Sequence, residues 1–333
     1  MEDPGNVLQA PSHPDPYPWY ARLRRERPLF FDDALGLWVV AAPALVREAL
    51  SEPRLRVRPP AEPVPRALAG SLTGEVFAQL VRMNDGDFHA RHRPAVAASA
   101  ARWDAAQVEA AAGRAAQDLV PRLGADALLA ALPVQALARL LGVAPKSLDA
   151  TVEAVQAFVG ALGAAPDAEA IRRSDDAVRW LLAQGEAQGL ASVAAANRIA
   201  LMQQALDATA GLVGNAIAAW QRAPAALAGT TFVEGVAARD PAVHNTRRFA
   251  AAGLVLGGER IAAGQALVLL LVGEGAGLGF GAGPHACPGE RIALHLAAAA
   301  LRSLQQSGAL ARAFGPVRGW RPLPNARIPL FSA

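Results

Sequence analysis

Apolar residues recur at three- and four-residue intervals over most of this chain, and the places where that rhythm fails outline its elements. Residues 1–20 are proline-rich, carry no periodic face and are expected to wrap the surface. DPYPWYARLRRERP reads as a short helix stopped at Pro28. LFFDDALGLWVVAAP reads as two short strands around a turn at Asp33–Gly36, and APALVREALSEP returns to helical spacing. From about residue 75 to 130 the pattern is helical, with an interruption near MNDGDFHARHRP. Residues 131–190 read as alanine-rich helices broken by glycine and proline. SVAAANRIALMQQALDATAGLVGNAIAAWQRAP is the longest helical candidate, closed by Pro224. Its apolar residues lie on nearly all sides, which predicts a helix running through the core. FVEGVAARDP forms another helix, ending before Pro241. LVLGGERIAAGQALVLLL reads as a hairpin turning at Gly257–Gly258. A long helix follows Cys287, and WRPLPNARIPLF closes the chain as a strand or irregular segment.

The sum is a mainly α fold with small β-sheets. Among 333 residues there is no internal repeat and no low-complexity linker, so one domain over 1–333 is expected. Apolar residues make up 53% and aromatics 5%, so the core is aliphatic, and the chain is long enough to bury a large one. No uninterrupted apolar run reaches the length of a membrane span, and the N-terminus lacks the basic and apolar regions of a signal peptide. The single cysteine rules out an internal disulfide and fits a reducing cytoplasm. The net charge of +3 is too mild for a nucleic-acid protein, and no basic block carries interleaved aromatics. A locally basic face docking an acidic protein is compatible with it.

The chemistry concentrates in GLGFGAGPHACPGERIAL, residues 277–294, which holds that cysteine. A lone cysteine is commonly a small buried hydrophobe. As a nucleophile it needs a base, and as a zinc ligand it needs more partners than HAC supplies. The glycines point elsewhere. Gly279, Gly281 and Gly283 free the backbone to turn and to approach a flat ligand, and Gly289 lets the following helix pack close to it. Pro288 fits just inside a helix start, which places Cys287 at a helix N-terminus, where free N–H groups favour a thiolate. A thiolate presented by a glycine bulge beneath a planar cofactor suits a haem iron.

FGAGPHACPG resembles the haem-binding signature of the cytochromes P450, matching at Phe280, Gly281, Gly283, His285, Cys287 and Gly289. The resemblance implies haem b with Cys287 as axial ligand and iron-binding residue, and His285 on a haem propionate. NDGDFHARHRP resembles the segment entering the family's C helix, where His89 and Arg93, one turn apart, would hold a propionate. A solvated basic helix face is the plainer reading of the same pair. HNTRRFA resembles the strand whose arginine grips a propionate; Arg248 fits that place, and Arg247 would point the other way. YARLRRERPLFF, WVV, GGERIAAGQALVLLL and NARIPLF match family segments in character, so the likeness covers nearly the whole chain.

The departures are as specific. The chain is shorter than bacterial members, and LVLLLVG passes almost directly into GLGFGAG, so the family's meander loop is expected to be deleted. At the positions of the Glu-x-x-Arg motif stand Gly235 and Ala238; Glu234 and Arg239 are each off by one. Losing every partner of a buried ion network is far less costly than losing one. In the long helix the family's acid–alcohol pair becomes Asp207–Ala208, its Ala-Gly becomes Gln204–Ala205, and Thr209 falls one residue late, about 100° around the helix. Asp207 and Thr209 are the catalytic candidates. The resemblance implies an oxidoreductase of monooxygenase type acting on a small organic substrate in specialised metabolism, with a ferredoxin-type electron donor. A peroxide-using or redox-neutral route fits the altered acid–alcohol pair. A non-enzymatic haem-binding or scaffold protein is the alternative, supported by the missing Glu-x-x-Arg and opposed by the intact cysteine loop.

Overall fold

A computed structural model describes residues 2–163, 165–223, 229–273 and 277–332. Helix α1 (Tyr17–Glu26) stops before Pro28, and β1 (Leu29–Asp32) pairs antiparallel with β2 (Leu37–Val40) across a turn completed by Gly36. Helix α2 (Pro43–Ser51) and the short β3 (Leu55–Arg56) follow. Then come α3 (Leu72–Ala78), α4 (Gly86–Ala101), α5 (Ala105–Leu119), α6 (Ala125–Leu140), α7 (Leu148–Ala161) and α8 (Ala168–Glu186). Several of these starts are written in the chain: Ser71 and Asp167 cap α3 and α8, and Asp104 with Gln107 forms a capping box on α5. Proline does not break every helix, contrary to expectation: α4 runs through Pro94 and α6 through Pro133. Pro133 is buried, and packing of α6 against α5, α7 and α9 (Ser192–Arg222) offsets the lost hydrogen bond.

Helix α9, 31 residues long, is the axis of the largest hydrophobic cluster, which also takes in α5, α6, α7 and the later α11 (Glu290–Gln306). Before α11 come α10 (Gly229–Arg239), β4 (Asn245–Ala250), β5 (Leu254–Leu256), β6 (Glu259–Ile261) and β7 (Ala266–Leu270). After it come α12 (Ala309–Ala313), β8 (Val317–Trp320) and β9 (Pro329–Phe331). The GGERI segment is a hairpin as expected, with β5 and β6 joined through Gly257 and Gly258, both at positive φ. The rest of that stretch does not stay in the hairpin. β7 enters a five-stranded sheet of order β1-β2-β7-β4-β3, parallel to β2 and antiparallel to β4. Its residues 267–270 are all buried, which a two-stranded hairpin could not provide.

The close of the chain is bound to its start by a buried polar cluster. Arg327, just before β9, is 3% exposed. Its Nη1 donates to the carbonyls of Pro11 (2.9 Å) and His13 (2.6 Å), and its Nη2 to that of Pro14 (2.9 Å). Its Nε lies 3.3 Å from the Asp240 carboxylate at the end of α10, and its guanidinium stacks on Trp320 at 3.9 Å. Tyr17 donates to Asp240, and the Tyr20 hydroxyl meets Nδ1 of fully buried His244 at 3.0 Å. Burial, then Asp240, raises the Tyr17 phenol; burial raises Tyr20. Burial, then the charge of Arg327, holds His244 well below the usual imidazole value. Beside this cluster α9 approaches the closing segment at two glycines. A Cβ on Gly211 would stand 2.8 Å from Ala242 Cβ, and one on Gly214 would stand 2.7 Å from Pro329 Cγ.

Two outcomes follow from the cluster. Arg327→Met strands Asp240 and three carbonyls, and is expected to cost about 3–5 kcal/mol of stability; a urea midpoint equal to wild type would refute this. His244 is neutral in the fold and takes up a proton on unfolding below about pH 6.5, the ordinary imidazole value. Stability is therefore present above that pH and lost as pH falls below it, by at most about 1.4 kcal/mol per pH unit for this group. His89, also depressed, adds in the same direction. Urea midpoints between about pH 7.5 and 5.5 should decline, less steeply in His244→Gln; equal slopes would remove His244 as the cause.

Candidate functional site

The strand β7 leaves the sheet at Leu270, and residues 271–279 carry the chain to Phe280. Gly273 and Gly277 turn at positive φ, whereas Gly275 lies outside the described residues. Gly279 packs so closely on Pro241 that a Cβ would stand 3.0 Å away. The loop then closes on itself. The Gly281 N–H donates to Leu278 O (2.7 Å), that of Ala286 to Gly283 O (3.1 Å), and that of Cys287 to Phe280 O (2.9 Å). Gly281 (φ 72°) and Gly283 (φ 68°) take the left-handed conformation this hook requires. Helix α11 begins one step later than expected: Gly289 is its cap, so Pro288 stands outside the first turn. The displaced start leaves the Gly289 N–H free to donate to the Cys287 sulfur.

Burial raises the Cys287 thiol above its usual value; the Gly289 N–H opposes this, Glu290 adds to it, and Arg93 and Arg82 oppose it. The helix start therefore does not by itself make a thiolate, because the desolvation is larger. Cys287 is nevertheless accessible. Its sulfur opens on the space bordered by Arg93 of α4 and by Arg82, the chamber of this fold.

Beside the loop the four cationic or donor residues come together. His89 on α4 is buried, and its ring lies 4.3 Å from that of His285. Arg93, one turn along, donates to the Ala286 carbonyl next to Cys287. His285 Nε2 stands 3.1 Å from Asp85, whose other oxygen accepts from the Val57 N–H at 2.9 Å. Burial works to raise Asp85, but His285 and the Val57 N–H hold it below the usual carboxylate value. Burial, then His285 and Arg93, lowers His89. In β4 Arg248 is 4% exposed while Arg247 is exposed. Among the described residues Arg248 bonds only neutral acceptors, Arg247 O (2.8 Å) and Thr246 Oγ1 (3.4 Å). Burial lowers its value and the field of Asp85 opposes that. Asp85 was not among the expected site residues, though it sits in the same quoted segment.

Along α9 the half-exposed positions Gln203, Gln204, Asp207 and Ala208 form one face, while Thr209 is buried. Asp207 pairs with Arg321, between β8 and β9, at 2.9 Å. Thr209 does not join it. The helix is continuous, and two residues along it is about 160° around, which turns Thr209 into the core. Gln204 donates back to Ala200 O at 3.0 Å. Sequence reasoning also passed over Arg82, which reaches Gln203 from the far side at 3.2 Å and interacts electrostatically with Cys287. Among the described residues no group of three or more His, Cys, Asp or Glu could hold a metal ion, and no helix is long and apolar enough to cross a membrane.

No protein-family model matches the chain, and none of the curated proteins is significantly similar to it in sequence. Solved structures are similar over almost the whole length. Epothilone B-bound cytochrome P450epoK superposes with a TM-score of 0.79 at 20% identity, covering 96% of this chain and 97% of that one. CalO2 gives 0.77 at 20% identity, covering 99% and 97%. P450BioI, in complex with an acyl carrier protein bearing hexadec-9Z-enoic acid, gives 0.75 at 18% identity, covering 95% and 96%. The fold is that of the cytochromes P450. Within this P450 fold the departures are concrete. The connection from β7 to the cysteine loop is short, and among the described residues Glu234 and Arg239 form no ion pair. Arg239 instead lies over Gly235, where a Cβ would stand 3.2 Å from its Nη1. A buried ion pair does exist at the end of α10, but it is Asp240–Arg327.

Proposed function

We propose that residues 1–333 act as one unit that would hold haem through the Cys287 sulfur and oxidise a small organic substrate of specialised metabolism. The observation that carries this is the closed glycine hook presenting an exposed Cys287, with the buried guanidinium of Arg248 in the field of Asp85 and, among the described residues, bonded to neutral acceptors alone. The donor set fits haem b. His89, Arg93, Arg248 and His285 with one acid, Asp85, leave the surplus positive charge that two propionates need. Phe280, Gly281, Gly283 and Gly289 give the flat, small-residue surface around the sulfur. Haem held by a thiolate would supply the oxidising chemistry, with Cys287 providing the sulfur's electron density.

The remaining tasks fall to the chain. Asp207, half-exposed and paired with Arg321, is placed to pass protons from solvent toward the chamber. Its neighbour Ala208 offers no hydroxyl and Thr209 faces the core, so a water must complete that path. This altered relay favours a route with weak O2 coupling or with peroxide as oxidant. A ferredoxin-type protein is the electron donor the O2 route requires. A non-enzymatic scaffold would have no use for the hook or for Asp85 holding His285.

The protein reduced under carbon monoxide should show the red-shifted Soret band of a thiolate-ligated haem, and Cys287→Ala should abolish it; a retained band would exclude Cys287 as ligand. Arg248→Ala should speed haem transfer to apomyoglobin by roughly 10- to 100-fold, the worth of one charge-assisted bond. A positioned proton-transfer group contributes roughly 100- to 10,000-fold in rate, so Asp207→Asn should lower O2-driven turnover while hydrogen peroxide bypasses much of the defect. Equal turnover of Asp207→Asn and wild type on O2 would assign the relay elsewhere.

A further inference from the structure

We propose that Arg82, with Gln203 beside it, binds the carboxylate of an organic-acid substrate, so that the chamber selects anionic over neutral substrates. This rests on the haem-thiolate reading above and deepens it. Arg82 stands in the short 3-10 turn Val81–Met83, which precedes α4. That turn is pinned to α9 by a buried amide. Asn197 Oδ1 accepts the Val81 N–H at 3.0 Å, and its Nδ2 donates to Gln79 O at 2.9 Å and Val193 O at 2.8 Å. The backbone of Arg82 is therefore held in place before any ligand arrives.

Its side chain reaches α9: Nη1 donates to Gln203 Oε1 at 3.2 Å, and its charge is within the field of Cys287. The side chain is exposed, so a ligand in that space can reach it. A guanidinium has five N–H donors, and one neutral acceptor leaves most of them free for an anion. Among the described residues Arg82 has no carboxylate within ion-pair distance and one amide oxygen. The nearby acids are taken: Asp207 by Arg321, and Asp85 by His285 and the Val57 N–H. Arg82 thus presents a planar fork of donors whose natural match is a carboxylate. Gln203 and Asp207 share one face of α9 a turn apart, so an acid anchored at Arg82 would extend along that face toward Asp207 and Ala208.

The test titrates wild type, Arg82→Gln and Arg82→Lys with octanoate, decanoate and 4-phenylbutanoate, each against its primary amide. Binding is read by the Soret shift and by calorimetry on the protein as purified. Haem content and the reduced carbon monoxide band are recorded first on each variant. Wild type should bind at least one acid more tightly than its amide. Arg82→Gln should weaken the acid by roughly 10- to 100-fold and change the amide by no more than about threefold, with Arg82→Lys between. Equal binding of acid and amide in wild type overturns the proposal, as does Arg82→Gln losing haem while the acid preference of the remaining holoprotein is unchanged, which would assign Arg82 to the haem. If wild type shows no thiolate band, the haem reading fails; calorimetry still decides whether the acid preference exists and depends on Arg82.

Discussion

One guanidinium, that of Arg327, ties the two ends of the chain to its middle. Buried without partners it would cost several kcal/mol; with three carbonyls from residues 11–14 and the Asp240 carboxylate it becomes a requirement that those segments fold together. The consequence reaches the functional loop. Asp240 is followed by Pro241, against which Gly279 packs, and His244 accepts the Leu271 N–H at 2.9 Å. Both the start and the end of the short link from β7 to Phe280 are therefore fastened to the same clasp. A P450 fold without Glu-x-x-Arg and without a long meander still fixes its cysteine hook, because a different ion pair at the end of the same helix supplies the anchor.

The site is built on an imbalance of charge. Arg82 and Arg93 stand near Cys287, His89, His285 and Arg248 near Asp85, and Glu290 opens the following helix. Burial depresses His89, Arg82 and Arg248 and raises the Cys287 thiol, and an anionic guest would offset that cost for the cations. The cations fall into two groups. Arg248, His89 and Arg93 gather on the side of β4 and α4, whereas Arg82 is turned toward Gln203 of α9.

Much of this was legible without coordinates. The glycines of FGAGPHACPG turn where positive φ is needed, Arg248 is inward and Arg247 outward as strand alternation demands, and His89 and Arg93 meet the loop from one helix face. These are local signals, each contained within one turn or one strand. The misreadings were local rules overruled by packing. Pro133 stays inside a helix because its neighbours bury it, and β7 abandons the hairpin because four consecutive apolar residues need a sheet on both sides.

The amino-acid sequence alone determined the helical character, the cysteine hook and the identity of the residues that could grip a cofactor, since these depend on spacing and on backbone freedom within a few positions. Only the tertiary structure decided what each buried charge meets. Arg327 finds Asp240 and the carbonyls of residues 11–14, Asp85 finds His285, Arg82 finds Gln203, and Thr209 is turned away from Asp207. Except for Thr209, these pairings join positions far apart in the chain, the nearest being Asp240 and Arg327. No periodicity encodes them, because they are set by which helices and strands share a wall of the core.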